Sequence, residues 1–72
     1  MSDARQAIAA AKDAGAEQSA AEELRVAEAF LDSAQRKLSE RAYAQARRDA
    51  LQAKSKALAA LAIAEGPDSD PP

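Results

Sequence analysis

Alanines and a few larger apolar residues recur at helical spacing along nearly the whole chain. Near the N-terminus their spacing places them on one face of a helix, and this face comprises Ala4, Ala7, Ile8, Ala11 and Ala14. The pattern predicts a first helix from about Asp3 to Ala14. Ser2 or Asp3 can cap its first turn, and Gly15 is expected to end it because glycine adopts the left-handed conformation at little cost.

A second apolar stripe follows a clear helix start. Ser19-Ala20-Ala21-Glu22 matches a capping box, in which the Ser19 hydroxyl accepts a hydrogen bond from the third helical N–H and the Glu22 carboxylate reaches back to the Ser19 N–H. The stripe advances by alternating steps of four and three, which is typical of an amphipathic helix. Its members are Ala20, Leu24, Ala27, Leu31, Ala34 and Leu38.

The chain between Leu38 and Ala42 leaves two architectures open, because neither Gly nor Pro marks a boundary there. One continuous helix over residues 20–64 would be about 68 Å long and would need a second chain to cover its stripe. Alternatively, residues 39–41 form a tight turn and a third helix folds back on the second. Strict heptad extension of the second stripe meets only polar side chains, which favours the hairpin: Arg41, Gln45, Arg48 and Gln52.

The third helix is predicted from about Ala42 to Glu65. Its stripe comprises Tyr43, Ala46, Ala50, Ala53, Ala57, Leu61 and Ala64, with Leu51 and Leu58 beside it. Gly66-Pro67 is expected to stop the helix, and residues 66–72 to form a disordered, acidic, proline-rich tail. The predicted fold class is therefore all-α, with a short N-terminal helix plus an antiparallel helical hairpin. These helices form a three-helix bundle in a single alanine-rich domain of residues 1–65.

Most of the apolar content is alanine, which limits the core. Of the 72 residues 47% are hydrophobic, and 22 of these are alanine, so only 12 large apolar side chains are present. In a chain of about 70–80 residues or fewer, a core seldom supplies more than about 3–5 kcal/mol. We therefore expect a protein partner, including self-association through uncovered stripe surface. The protein would act as a scaffold module or, with the long helix, as an oligomeric coiled-coil assembly subunit.

The composition argues against an enzyme. The chain has no Cys and no His, which removes thiol nucleophiles, disulfides and imidazole acid–base chemistry. With only two glycines it has no glycine-rich loop for a phosphate. The carboxylates lack metal-ligand spacing, and Glu22 is assigned to the capping box. We therefore expect no catalytic residues, no cofactor and no metal site.

Charge is distributed unevenly, with a net charge of −4 in residues 1–35 and +5 in residues 36–64. The basic side chains could form a face for weak binding to an anionic surface: Arg36, Lys37, Arg41, Arg47, Arg48, Lys54 and Lys56. Specific nucleic-acid binding is not expected, because aromatic residues for base stacking make up only 3% of the chain.

Tyr43 opens the third helix and allows two interpretations. A tyrosine in this position is commonly a packing residue with its hydroxyl near water. In the functional interpretation it lies in a shallow groove beside Arg47 and Arg48, one turn on, and recognises a peptide or glycan. The candidate partner-binding residues are Tyr43, Arg47, Arg48, Arg41 and Lys54.

The sequence leaves two compartments open. The longest apolar run, Ala57 to Ala64, is too short to span a bilayer, and the first residues lack the apolar stretch of a signal peptide. Either the protein is cytoplasmic, or the chain is a mature form from which a leader has been removed.

Two segments carry a family resemblance. The first is residues 14–24, AGAEQSAAEEL, followed by Ala27 and Leu31; the second is residues 43–48, YAQARR, followed by Ala50, Ala53 and Lys54. Together they resemble the alanine-rich domain-of-unknown-function family 4398, small helical domains of bacterial envelope proteins. The resemblance implies a non-catalytic interaction module in the periplasm or on the outer membrane, with peripheral attachment to the envelope.

Overall fold

A computed structural model describes residues 2–66 of the chain. Four α-helices and short turns account for the described residues: α1 (Ser2–Asp13), α2 (Ala16–Ser19), α3 (Ala21–Ser39) and α4 (Tyr43–Glu65). The predicted all-α class is confirmed. Gly66 caps α4 with φ of 87°, as expected of a helix stop. The rest of the predicted tail lies outside the described residues.

Gly15 ends α1 as predicted. Its φ is 91°, and its amide donates to the Lys12 carbonyl, the hydrogen bond that closes a left-handed helix end. The sequence did not predict α2, a single helical turn that follows directly. There the amides of Gln18 and Ser19 donate back to the Gly15 carbonyl.

The predicted capping box at Ser19 is wrong. Ser19 is the last residue of α2, and its Oγ donates to the Gly15 carbonyl at 3.1 Å. Ala20 holds the N-cap position of α3 with φ of −143°, and no side chain caps that helix. A serine already inside a helical turn cannot adopt the extended backbone that capping requires.

The α3–α4 connection is a tight turn, so the continuous helix does not form. Arg41 has φ of 63°, and the turn closes with two backbone hydrogen bonds, from Arg41 to Leu38 and from Ala42 to Lys37. This is the Schellman arrangement, in which glycine usually occupies the left-handed position that Arg41 holds here. The predicted antiparallel hairpin is therefore present.

Alanine dominates the packed interior. The buried core cluster joins all four helices and consists of Ala7, Ile8, Ala11, Ala16, Ala20, Leu24, Ala27, Ala57 and Ala60. Ala11, Ala27 and Ala57 are fully covered. Small side chains let helix backbones approach closely, so dispersion contacts replace bulky apolar burial here. We call this part of the molecule the core end.

The other half of the hairpin lacks a third helix. The ion pair between Asp3 Oδ2 and Lys54 Nζ, at 3.7 Å, marks where the first residues of α1 meet α4. Since α4 starts eleven residues before Lys54, its first turns extend beyond the start of α1. We call this region the open end: residues 33–39 of α3, the turn, and residues 43–50 of α4.

Several residues placed in or beside the predicted stripes are exposed. Leu38, in the predicted stripe of the second helix, is 43% exposed, and Tyr43, in that of the third, is 58% exposed. Leu51 and Leu58, predicted beside the stripe of α4, are 61% and 46% exposed. Ala14 is also exposed. Ala60, which no predicted stripe included, is fully buried.

Candidate functional site

Polar contacts hold the hairpin together at the open end. Ser33 Oγ donates to Asp49 Oδ2 at 2.6 Å, and Lys37 Nζ lies 3.3 Å from the same oxygen. The Ser33 hydrogen bond, supported by Lys37, keeps the pKa of Asp49 below its ordinary value of 3.8. The charged carboxylate is the form that these donors stabilise. The contact links α3 to α4 at this end, where Ala34 and Ala46 are also buried.

Beside these contacts the open end carries a shallow groove of about 300 Å³. Its lining residues come from the end of α3 and the first two turns of α4: Leu38, Tyr43, Ala46, Arg47 and Ala50. Ala46 is 2% exposed and forms the floor, while Leu38 and Tyr43 expose apolar surface at the sides. A small floor between larger walls gives a shallow depression.

A second, smaller depression of about 140 Å³ continues the groove toward α1. It shares Arg47 and Ala50 with the first and adds residues from the start of α1 and the middle of α4: Asp3, Ala4, Leu51 and Lys54. The two depressions therefore form one surface along α4, and it ends where α1 begins to cover that helix.

The structure brings together three of the five candidate residues. Tyr43 and Arg47 line the groove, and Lys54 lies in its continuation. Arg48 follows Arg47 by one residue, a rotation of about 100° around the helix, and does not line either depression. Arg41 lies in the turn and does not line them. That any of these residues binds a partner stays a prediction.

The groove also includes residues that sequence reasoning did not assign to the site. Leu38, Ala46 and Ala50 had been placed in buried stripes. An apolar residue in a stripe gives no sign of being exposed until the length of the covering helix is known. Leu38 and Tyr43 are five residues apart across a predicted turn, and this short separation is the sequence signal that could have assigned both to one site.

The basic side chains do not form a single face. Three carry an acidic partner, in the pairs Arg36–Asp32, Lys37–Asp49 and Lys54–Asp3. Arg47 and Lys56 have no ion-pair partner within residues 2–66. They are nine residues apart, about two and a half turns, and so lie on opposite sides of α4. Arg47 is thus the unpaired cation beside the groove.

The titratable side chains within residues 2–66 are at least partly exposed. No cluster of three His, Cys, Asp or Glu side chains suited to a metal ion occurs within residues 2–66. The buried side chains of this stretch are apolar. No helix among the described residues is long and apolar enough to cross a membrane.

The fold and the groove define a small, alanine-packed, all-α domain with a shallow groove between the end of α3 and the start of α4. The chain belongs to the DUF4398 family, a domain of unknown function, whose profile matches residues 1–67. The match covers all the described helices and both segments that carried the resemblance. No curated protein and no solved structure matches the chain.

Proposed function

We propose that this domain is a non-catalytic helical interaction module that binds a protein partner at its open end. The observation that carries the proposal is the groove, where exposed Leu38 and Tyr43 lie beside unpaired Arg47. Apolar walls with a charge at the rim are the usual composition of a protein-binding surface. Tyrosine and arginine are also the residue types most enriched among binding hot spots.

The proposal extends to the location of the protein. The resemblance of this chain to small helical domains of bacterial envelope proteins supports a site of action in the periplasm or peripherally on the outer membrane. A cytoplasmic location is the alternative. Fractionation of cells expressing the full-length gene product, with soluble periplasmic and cytoplasmic markers, distinguishes the two.

Photo-cross-linking in cells tests the proposed interaction. A cross-linking phenylalanine analogue is placed at Tyr43 and, as the control, at Ile63, which is 43% exposed on another side of α4. We expect a defined protein adduct from position 43 that weakens when Arg47→Glu is added. Equal adducts at both positions, or an adduct insensitive to Arg47→Glu, would contradict the proposal.

Self-association is a second candidate, supported by two exposed leucines of α4. Leu51 and Leu58 are seven residues apart, lie on the same side of α4 and are both largely exposed. Two copies could cover these leucines against each other, giving an assembly subunit without a long helix. Sedimentation velocity over a hundredfold concentration range tests this, with Leu51→Ser/Leu58→Ser as the variant expected to remain monomeric.

A further inference from the structure

The packing of α1 on α4 shows what kind of element this helix binds. Ala4, Ala7 and Ala11 of α1 are buried, and the first turn of α1 supplies Asp3 to Lys54. The buried cluster that holds Ala7 and Ala11 also contains Ala57 of α4, three residues after that lysine, and Ala53, the residue before the lysine, is fully buried. Within this chain, α4 therefore packs against a helix that has small residues on its contact face and a carboxylate at its edge.

The open groove repeats this receiving surface two turns earlier. Residues 46–51 read Ala-Arg-Arg-Asp-Ala-Leu, and residues 53–58 read Ala-Lys-Ser-Lys-Ala-Leu. The shift of seven residues returns each side chain to nearly the same side of α4, within about 20°. Arg47 thus corresponds to Lys54, with an alanine one residue before and three residues after each cation. In the second copy, Lys54 pairs with Asp3 of α1 and Ala57 belongs to the buried cluster that contains Ala7 and Ala11. In the first copy, Ala46 is 2% exposed at the floor of the groove, Ala50 is half-buried and Arg47 is exposed.

From this repeat we infer that the groove binds an α-helix of a partner protein that resembles α1, with small residues facing Ala46 and Ala50 and an acidic side chain facing Arg47. The inference rests on the proposed function and names the partner class for the same site. Leu38 and Tyr43 add apolar surface that α1 does not meet, so larger partner side chains fit at that end.

Charge complementarity favours an acidic helix of another protein over the groove of a second copy of this chain. Two grooves facing each other would bring Arg47 close to the same residue of the other copy, which like-charge repulsion disfavours. The α1 helix of a second copy is already seated on its own α4. An acidic helix from another protein satisfies Arg47 without displacing any contact within residues 2–66.

The size of the groove sets the expected affinity. It extends from Tyr43 to Ala50, about 10 Å of helix, which accommodates about two turns of a partner. Such a contact lies below the area of standard stable interfaces, so we expect a dissociation constant between about 10 µM and 1 mM. Binding should also weaken with salt, because the ion pair is exposed at the rim.

The test uses a defined probe, a fluorescent peptide with the sequence of residues 2–13 of α1, stapled into a helix on its exposed face. Fluorescence anisotropy measures its binding to the full chain. We expect binding in the stated range and a loss of at least about fivefold for Arg47→Glu. Lys56→Glu, the same charge change on the far side of α4, should alter binding by less than about twofold. A peptide carrying Asp3→Lys should recover its affinity on the Arg47→Glu variant.

Four outcomes would overturn the inference. The first is no binding up to about 1 mM peptide, and the second is an equal effect of Arg47→Glu and Lys56→Glu on binding. The third is an effect confined to Lys54→Glu, which would indicate that the peptide exchanges with α1. The fourth is a dimer that Arg47→Glu dissociates, which would indicate a second copy of the chain in the groove. If the peptide does not bind but position 43 gives a specific cross-link, the inference of an acidic partner helix is rejected and the proposed interaction module is retained. Failure of both would reject the module too.

Discussion

The two ends of the hairpin use the same two helices but are stabilised in different ways. At the core end, α1 and α2 cover α3 and α4, and the interior is alanine with Ile8 and Leu24. At the open end, Ser33, Lys37 and Asp49 supply polar contacts while Leu38 and Tyr43 stay exposed. The covered end carries the stability of the fold, and the uncovered end leaves surface available for a partner.

The largest difference in the free energy of unfolding is expected when one leucine at each end is replaced by alanine. Leu24 is 4% exposed and Leu38 43%. Leu24→Ala removes core contacts and should lower the free energy of unfolding by about 2–5 kcal/mol, whereas Leu38→Ala should cost under about 1 kcal/mol. Urea unfolding followed by circular dichroism measures both. Equal losses would remove the distinction between the ends.

A leucine in place of a buried alanine tests the same difference between the two ends. Ala57→Leu inserts a large side chain where α1, α3 and α4 meet and should destabilise the fold by about 2–3 kcal/mol. Ala46→Leu places the same side chain in the floor of the groove, where solvent is adjacent, and should cost about 1 kcal/mol. Alanine and leucine are both strong helix formers, so helix propensity contributes little to the difference. A larger loss for Ala46→Leu in the same unfolding measurement would contradict this account.

Substitutions at the two turns, Gly15→Ala and Arg41→Gly, should change the stability of the fold in opposite directions. Gly15 has φ of 91° with no atom within 4 Å of an added Cβ, so Gly15→Ala meets backbone strain alone. We expect a loss of about 1–2 kcal/mol. Arg41 already occupies the left-handed region at 63°, so Arg41→Gly should gain up to about 1 kcal/mol. Thermal melts of both variants provide the measurement, and a stabilising Gly15→Ala would be inconsistent with the turn.

The smallest effect concerns pH and is specific to the open end. The pKa of Asp49 is lowered in the folded protein, so its contribution is complete above the ordinary value of 3.8 and is lost as pH falls below it. The melting temperature of the parent should fall on acidification, and Ser33→Ala should show a shallower fall. Ser55→Ala, an exposed serine of α4, is the control and should follow the parent. A Ser33→Ala profile that matches the parent would show that this hydrogen bond contributes nothing to folding.

The helices and their turns were largely predictable from local pattern. Gly15 and Gly66 ended helices as glycine does, and polar residues beyond Leu38 correctly indicated the hairpin. The prediction of a capping box at Ser19 was wrong because the chain makes an extra helical turn after Gly15. No local motif indicates that turn. Ser19 therefore donates to the Gly15 carbonyl at 3.1 Å, and Ala20 precedes α3 without a side-chain cap.

The candidate site was predicted only in part, for a tertiary reason. Tyr43 and Arg47 could be joined because they are one turn apart on one helix. Leu38 could be added only once the turn was placed, and its exposure depends on where α1 meets α4, beside Lys54. Apolar periodicity reports which residues share a face, whereas coverage of that face depends on the length of a neighbouring helix.

Amide hydrogen exchange of the free protein tests the division into two ends most directly. We expect the slowest exchange in residues 24–31 and 53–61, and faster exchange, by about ten- to a hundredfold, in residues 36–46, which open without disrupting the core cluster. Uniform protection along α3 and α4, or the slowest exchange around the turn at Arg41, would contradict the claim that the core end carries the fold.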